Sequence, residues 1–233
     1  MNIKSLIAKI PVLSGLALWF YRRVLANNKY FPGSGAYWER RYKKGWRDSG
    51  SGSYNRLAEY KAGFLNSLVK EKNIGSVIEF GCGDGNQLSL AVYPKYMGLD
   101  ISKTAMALCE EKFANDPSKS FHLYDPLHFD DDRNILQADL AVSLDVIYHL
   151  VEDEVFDTHM KHLFAASTKY VVIYSSNNES EQTYHERDRE FTKWIELNAT
   201  DWDLVKKIEN PFPYDVKDPY NTSKSDFYIY KKE

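Results

Sequence analysis

The residues with the clearest capacity for chemistry sit at the ends of β-forming runs. Val77–Phe80 leads into Gly81-Cys82-Gly83-Asp84-Gly85, with Glu79 just ahead of the glycines. Three glycines in five positions let a chain reverse tightly and let backbone N–H groups approach a ligand with no Cβ in the way. The next run ends in Asp100, 19 residues after Gly81, where a carboxylate can accept hydrogen bonds from both hydroxyls of a ribose. Asp125 follows a third run, "FHLY", placed to accept from an adenine amine. Either aspartate alone is as well explained as a helix cap or turn residue. In register with Gly81 on successive strand ends, they point to a nucleoside. Glu79 narrows the choice, because a carboxylate beside the turn repels a pyrophosphate and favours a ligand that brings a cation, such as the ammonium of a methionine moiety. The glycine spacing is G-x-G-x-G rather than the dinucleotide fingerprint, and no P-loop is present.

These residues need a frame. Strands are expected at Ser76–Phe80, Tyr96–Asp100, Ser120–Tyr124, Asp139–Leu144, Lys169–Tyr174, Leu204–Glu209 and Phe227–Tyr230. Helical spacing is expected at 56–73, Lys103–Ala114, Glu152–Ala166 and Arg187–Asn198, and a helix is also expected directly after the glycine turn. Strands alternating with helices imply a largely parallel sheet covered on both faces. The Gly-, Ser- and aromatic-rich stretch 31–55 reads as a mobile lid or linker with a short helix near Tyr37–Lys43, and 56–233 as the single folded domain.

Composition fits a globular α/β protein: 233 residues, 43% hydrophobic, 27% charged. The net charge of −3 divides into +8 over residues 1–50 and −11 over the rest, so the head suits an anionic partner and the body does not suit a long phosphate track. Cys82 and Cys109 make no metal-ligand spacing or disulfide framework, which fits a cytoplasmic setting. The apolar stretch within residues 1–30 is shorter than the roughly 20 residues of a membrane span. Arg22 and Arg23 stand where a leader's cleavage site would be. It reads as an interfacial segment at an inner membrane surface, or as a helix packed on protein.

"VIEFGCGDGNQL", "YMGLDIS", "FHLYD" and "ADLAVSLDVIYHL" together resemble the successive cofactor motifs of class I S-adenosylmethionine-dependent methyltransferases, over about residues 55–233. The resemblance implies a Rossmann-like seven-stranded sheet of order 3-2-1-4-5-7-6 with the last strand antiparallel. It implies that Glu79, Gly81 and Gly83 line the methionine end of S-adenosylmethionine, Asp100 the ribose, Ile101 the adenine face and Asp125 its amine. Ser143 would offer its carbonyl to the ammonium. More narrowly, "YWERRYKKG", "GSGSYNRLAEYKAGFLN" and "HERDREFTKWI" resemble small bacterial methyltransferases associated with glycosyltransferases of surface polysaccharides. That implies O-methylation of a sugar or glycan intermediate. Methylation of another metabolite or a protein side chain is the alternative, as is a non-catalytic cofactor-binding partner of a glycosyltransferase complex.

A hydroxyl acceptor gains from a general base, and His is the usual one near neutral pH. His149, just past the fourth strand, and His185, after the fifth, are the candidates; a lone His is more often structural. Tyr148 is assigned to the acceptor. Arg187 and Arg189, read on a helix's first turn where cations are disfavoured, suggest a grip on an acidic acceptor. His159-x-x-His162 lacks a third ligand and reads as a solvated helix face; no metal is expected, Asp145 being a weak alternative ligand. "NPFPY" at 210–214 imitates a DNA amino-methyltransferase motif, but it follows strand six and reads as a turn. No nucleic-acid partner is expected.

Overall fold

The computed structural model describes residues 31–46, 48–129, 131 and 136–233. The N-terminal segment expected at a membrane surface therefore lies outside the described residues. Residues 33–233 form one compact unit.

Seven strands form one sheet of order β3-β2-β1-β4-β5-β7-β6. They are β1 Val77–Phe80, β2 Tyr96–Asp100, β3 Lys119–Leu123, β4 Ala138–Leu144, β5 Ser167–Ser175, β6 Trp202–Ile208 and β7 Asp226–Lys232. The pairs β1–β2, β1–β4, β2–β3 and β4–β5 are parallel, whereas β7 runs antiparallel to both β5 and β6. Every residue of β1 is buried, as expected for a parallel strand covered on both faces. Along β4 the side chains alternate. Leu140, Val142 and Leu144 pack with Leu65, Leu68 and Val77 on one face, and Ala141 packs with Phe156, Met160 and Leu163 on the other.

The helices are α1 Ser34–Arg41, α2 Asn55–Glu71, α3 Lys103–Lys112, α4 Asp153–Ala165 and α5 Phe191–Asn198. A stripe at helical spacing (Leu57, Lys61, Leu65, Leu68) is the buried face of α2. Lys61 within it is wholly buried. α3 starts where the Ser102 hydroxyl accepts from Ala105 N–H, a side-chain N-cap.

Two expectations are corrected. The glycine turn leads into no α-helix, only a 3-10 turn at Leu88–Leu90. The chain has few residues there before Pro94 and β2, so it closes short bonds such as Ala91 N–H to Leu88 carbonyl. The helix expected from Arg187 begins at Phe191, because Arg187 N–H is taken by the Tyr148 carbonyl and Asp188 N–H by the Ser180 hydroxyl. The short helix expected near Tyr37–Lys43 is α1, which starts at Ser34 and runs into a π-helical turn at Tyr42–Trp46, bonded down at the points described below.

Candidate functional site

The carboxyl ends of β1, β2 and β4 open onto one cavity, lined by Gly81, Gly83, Asp100, Ile101, Tyr124 and His149 among others. Its floor is the glycine turn. Gly81 and Gly83 have φ of +85° and +59°, a region L side chains avoid. Space forbids a side chain as well: a Cβ on Gly81 would stand 2.4 Å from Val146, and one on Gly83 2.1 Å from the Ser49 hydroxyl. Asp100 ties the turn to β2, its carboxylate accepting from Gly83 N–H at 3.0 Å and Ser102 N–H at 2.9 Å. Burial pushes Asp100 up to about 6, against those two bonds. A buried carboxylate beside Gly81 and Gly83, with Ile101, Tyr124 and Pro126 as an apolar slot, fits a nucleoside carrying a polar tail.

The roof is the segment after Gly33. The Ser34 hydroxyl donates to Glu152 at 2.6 Å. Glu39 accepts from the Ser102 and Thr104 hydroxyls and from Thr104 N–H. Burial acts to raise Glu39, but these bonds and Lys43 prevail and hold it at about 2. Ser49 exchanges hydrogen bonds with Asp84, its N–H donating to the carboxylate and its hydroxyl accepting from Asp84 N–H. The Tyr54 hydroxyl donates to the same carboxylate at 2.6 Å. With the roof down the cavity is about 90 Å³, small beside the ~300–1,000 Å³ of ligand sites. Asp84 is the anchor between turn and roof, and its place between Gly83 and Gly85 is the only trace of that role in the sequence.

Of the residues expected at the cofactor, Gly81, Gly83, Asp100 and Ile101 come together around this cavity. Glu79 lies beneath the turn instead. It is buried and accepts from the Tyr96 hydroxyl at 2.6 Å, and burial raises it to about 7 despite that bond and Lys61. Asp125 turns outward, capping Leu127 N–H and facing His128, so the turn-residue explanation describes it. The Ser143 hydroxyl meets His159 Nε2 at 3.2 Å within the core, and the cavity lining on this strand begins at Leu144.

On the acceptor side, His149 Nδ1 lies 3.2 Å from the His185 carbonyl. A carbonyl only accepts, so Nδ1 carries the proton and Nε2 keeps its lone pair. Burial lowers His149 to about 4. The His185 ring stacks 5.4 Å from it and 4.5 Å from Tyr37, and Trp38 packs edge-on to His149 at 4.9 Å. His149, His185 and Glu186 each offer a ligand atom within 4.8 Å of the others, a set that could hold a divalent cation and that the sequence reading did not assemble. Tyr148 donates to Asp145 at 3.1 Å, its ring packed 4.4 Å from that of His149. Asp145, at φ +59°, also accepts from Ser225 at 2.9 Å and pairs with Lys61 at 2.6 Å.

The two arginines are structural in this arrangement. Arg189, buried, donates to the Val151 and Leu150 carbonyls and pairs with Asp153; Arg187 reaches the same carboxylate at 2.9 Å. Both guanidiniums brace the start of α4, which removes the basis for an acidic-acceptor grip. The His-x-x-His pair is not a solvated face. His159 is buried against Ser143, burial lowering it to about 3, and His162 Nδ1 faces the Tyr124 hydroxyl at 2.9 Å. "NPFPY" is a turn, closed by the Asn210 side chain on Phe212 N–H.

Residues 78–166 match the model of a methyltransferase domain. The small RNA 2'-O-methyltransferase of Arabidopsis thaliana is 27% identical over 134 residues, 53% of this chain but 14% of that relative's length. The N-methyltransferase NodS of Bradyrhizobium japonicum WM9, solved with S-adenosyl-l-homocysteine, superposes with TM-score 0.64 at 15% identity, over 86% of this chain and 98% of its own. Magnesium protoporphyrin IX methyltransferase of Synechocystis PCC 6803, solved with bound SAM, gives 0.60 at 14% identity, over 86% and 97%. The methyltransferase domain of bacterial CtHen1-C gives 0.57 at 19% identity, over 74% and 96%. The chain thus has the fold of these methyltransferases, with its strand order and antiparallel seventh strand, and its residues 78–166 are similar to a methyltransferase domain.

Proposed function

We propose that the protein methylates a hydroxyl of a sugar or glycan intermediate. The observation that carries the reading is His149, a neutral imidazole in the wall of the cofactor cavity with its Nδ1 proton committed and Nε2 left as acceptor. S-adenosylmethionine supplies a sulfonium-bound methyl group for in-line displacement by a nucleophile. The chain's own residues do the rest. Asp100 holds the ribose hydroxyls, and Gly81 and Gly83 leave room for the methionine tail. Ile101, Tyr124 and Pro126 hold the adenine. The roof from Ser34 to Tyr54 lifts to admit ligands and closes to exclude water. His149 takes the proton from the acceptor hydroxyl, and His185 fixes its tautomer. With burial keeping His149 weakly basic, its contribution is near the lower end of the usual 10²–10⁴-fold.

The sugar is supported by the resemblance to polysaccharide-associated methyltransferases. A relative named for 2'-O-methylation also acts at a sugar hydroxyl. The same family likeness supports a cytoplasmic enzyme working beside glycosyltransferases at the inner membrane. Among the described residues no helix is long and apolar enough to cross a membrane. A second reading rests on the His149, His185 and Glu186 cluster: a divalent cation held there would polarise the acceptor oxygen in place of a base. Methyl transfer from labelled S-adenosylmethionine to a panel of sugar acceptors tests the proposal, with manganese or a chelator added in parallel. Turnover that survives chelation and collapses in His149→Gln supports the base; turnover that needs the cation supports the second reading. Tight cofactor binding with no transfer to any acceptor supports a non-catalytic partner.

A further inference from the structure

A second cavity, of about 270 Å³, adjoins the cofactor cavity, and Asp145 lines both. Its other walls come from Tyr148, from Glu186 and Asp188 after β5, and from the β6–β7 connection, including Tyr214, Lys224 and Ser225. The shared wall is unusual in two ways. Asp145 takes a left-handed backbone conformation without being glycine, strain that persists only where the surroundings enforce it. Its carboxylate is paired with a lysine that is 0% exposed, and a buried ion pair is a poor way to gain stability compared with apolar packing. Gly52 closes over the same carboxylate so tightly that a Cβ there would lie 2.6 Å from Oδ2. Strain, a buried ion pair and a missing side chain converge on one partition between two cavities.

We infer that the second cavity is the acceptor site, that the Lys61–Asp145 pair is its positioning wall, and that it takes an uncharged, polyhydroxylated sugar ring. This rests on the methyl-transfer reading above. The lining explains the preference. Lys61 balances Asp145 and Lys224 lies 3.7 Å from Asp188, so Glu186 is left as the excess charge among the described lining residues. That surface accepts hydrogen bonds from sugar hydroxyls and repels phosphates and carboxylates. Tyr214, 49% exposed at this wall, offers a ring face to the apolar side of a pyranose. The same charge pattern argues against RNA as the acceptor, since the described lining residues hold no surplus cation to meet a phosphate.

The test is saturation-transfer difference NMR on the full chain with S-adenosylhomocysteine, using methyl glycosides of glucose, galactose, mannose and rhamnose. The uronates of the first three and a short single-stranded RNA are run beside them, and calorimetry follows S-adenosylhomocysteine itself. At least one neutral glycoside binds about tenfold tighter than any uronate. Ser225→Trp, which fills the cavity, abolishes its signal. Tyr214→Ala, an exposed change the fold tolerates, weakens it about fivefold. Tyr214→Ala keeps the wild-type affinity for S-adenosylhomocysteine. The inference is overturned if S-adenosylhomocysteine binds but no neutral glycoside does. It also falls if a uronate or the RNA binds better, or if Tyr214→Ala changes nothing. Failure of S-adenosylhomocysteine to bind the wild type would instead bring down the methyltransferase reading underneath it.

Discussion

The floor of the cofactor cavity and the wall facing the acceptor are built in opposite ways. The floor is local: Gly81, Gly83, Asp100 and Ile101 fall within 21 residues of chain, and β1 and β2 are adjacent parallel strands. Its geometry follows from backbone freedom and one strand spacing. The wall is assembled from afar. Lys61 on α2, Asp145 after β4, Glu186 after β5 and Ser225 before β7 meet only once the sheet is complete. A locally built site depends on a few backbone positions, whereas a site assembled over long range depends on buried charges finding each other.

The largest effect should therefore come from breaking a long-range pair. Lys61→Met strands the Asp145 carboxylate and should cost about 3–5 kcal/mol of stability. The double variant Lys61→Met with Asp145→Asn should recover most of that in chemical denaturation while leaving any acceptor binding impaired. Recovery of neither stability nor fold would show that the pair is needed for the fold itself. His149→Gln comes next, with turnover falling about 10²-fold and S-adenosylhomocysteine affinity unchanged; an equal loss in both would make His149 a cofactor residue.

On the floor, acid sharpens the contrast. Burial raises Asp100 to about 6, and only the ionised carboxylate can accept from both ribose hydroxyls. Below about pH 6 a proton must leave before binding, so the dissociation constant should rise about tenfold per pH unit and stay flat above. A flat profile from pH 5 to 7 would mean that Asp100 does not hold the ribose. The smallest effect belongs to the roof. Glu39→Gln removes a half-buried carboxylate that caps α3 through Ser102 and Thr104, and should loosen closure by about 0.5–1 kcal/mol. Faster cofactor release in stopped flow would record it.

The division between floor and wall also marks what the sequence could convey. The sheet was legible nearly to the residue: buried β1 and β4 write apolar runs, and the partly exposed β3 and largely exposed β6 are placed by the alternation with helices. Gly81 and Asp100 were legible for the same local reason. Asp125 was not: position after β3 says nothing about side-chain direction, and its carboxylate found Leu127 N–H and His128 close by. Arg187 and Arg189 were misread because the helix start was set by bonds to Tyr148 and Ser180 from other segments. Lys61 left a trace that went unused. It sits four residues from Leu57 and four from Leu65, a charge within an apolar stripe, which on a helix means a buried partner elsewhere. Nothing in the sequence names that partner as Asp145.

The measurement that bears most directly on the central claim is calorimetric titration of S-adenosylmethionine into the wild type and Asp100→Ala at pH 7.5. Micromolar binding to the wild type and a loss of about 100-fold or more in the variant are predicted, the equivalent of about 2.7 kcal/mol. Equal binding by both proteins, or binding by neither together with no binding of S-adenosylhomocysteine, would contradict the assignment of this cavity as the cofactor site.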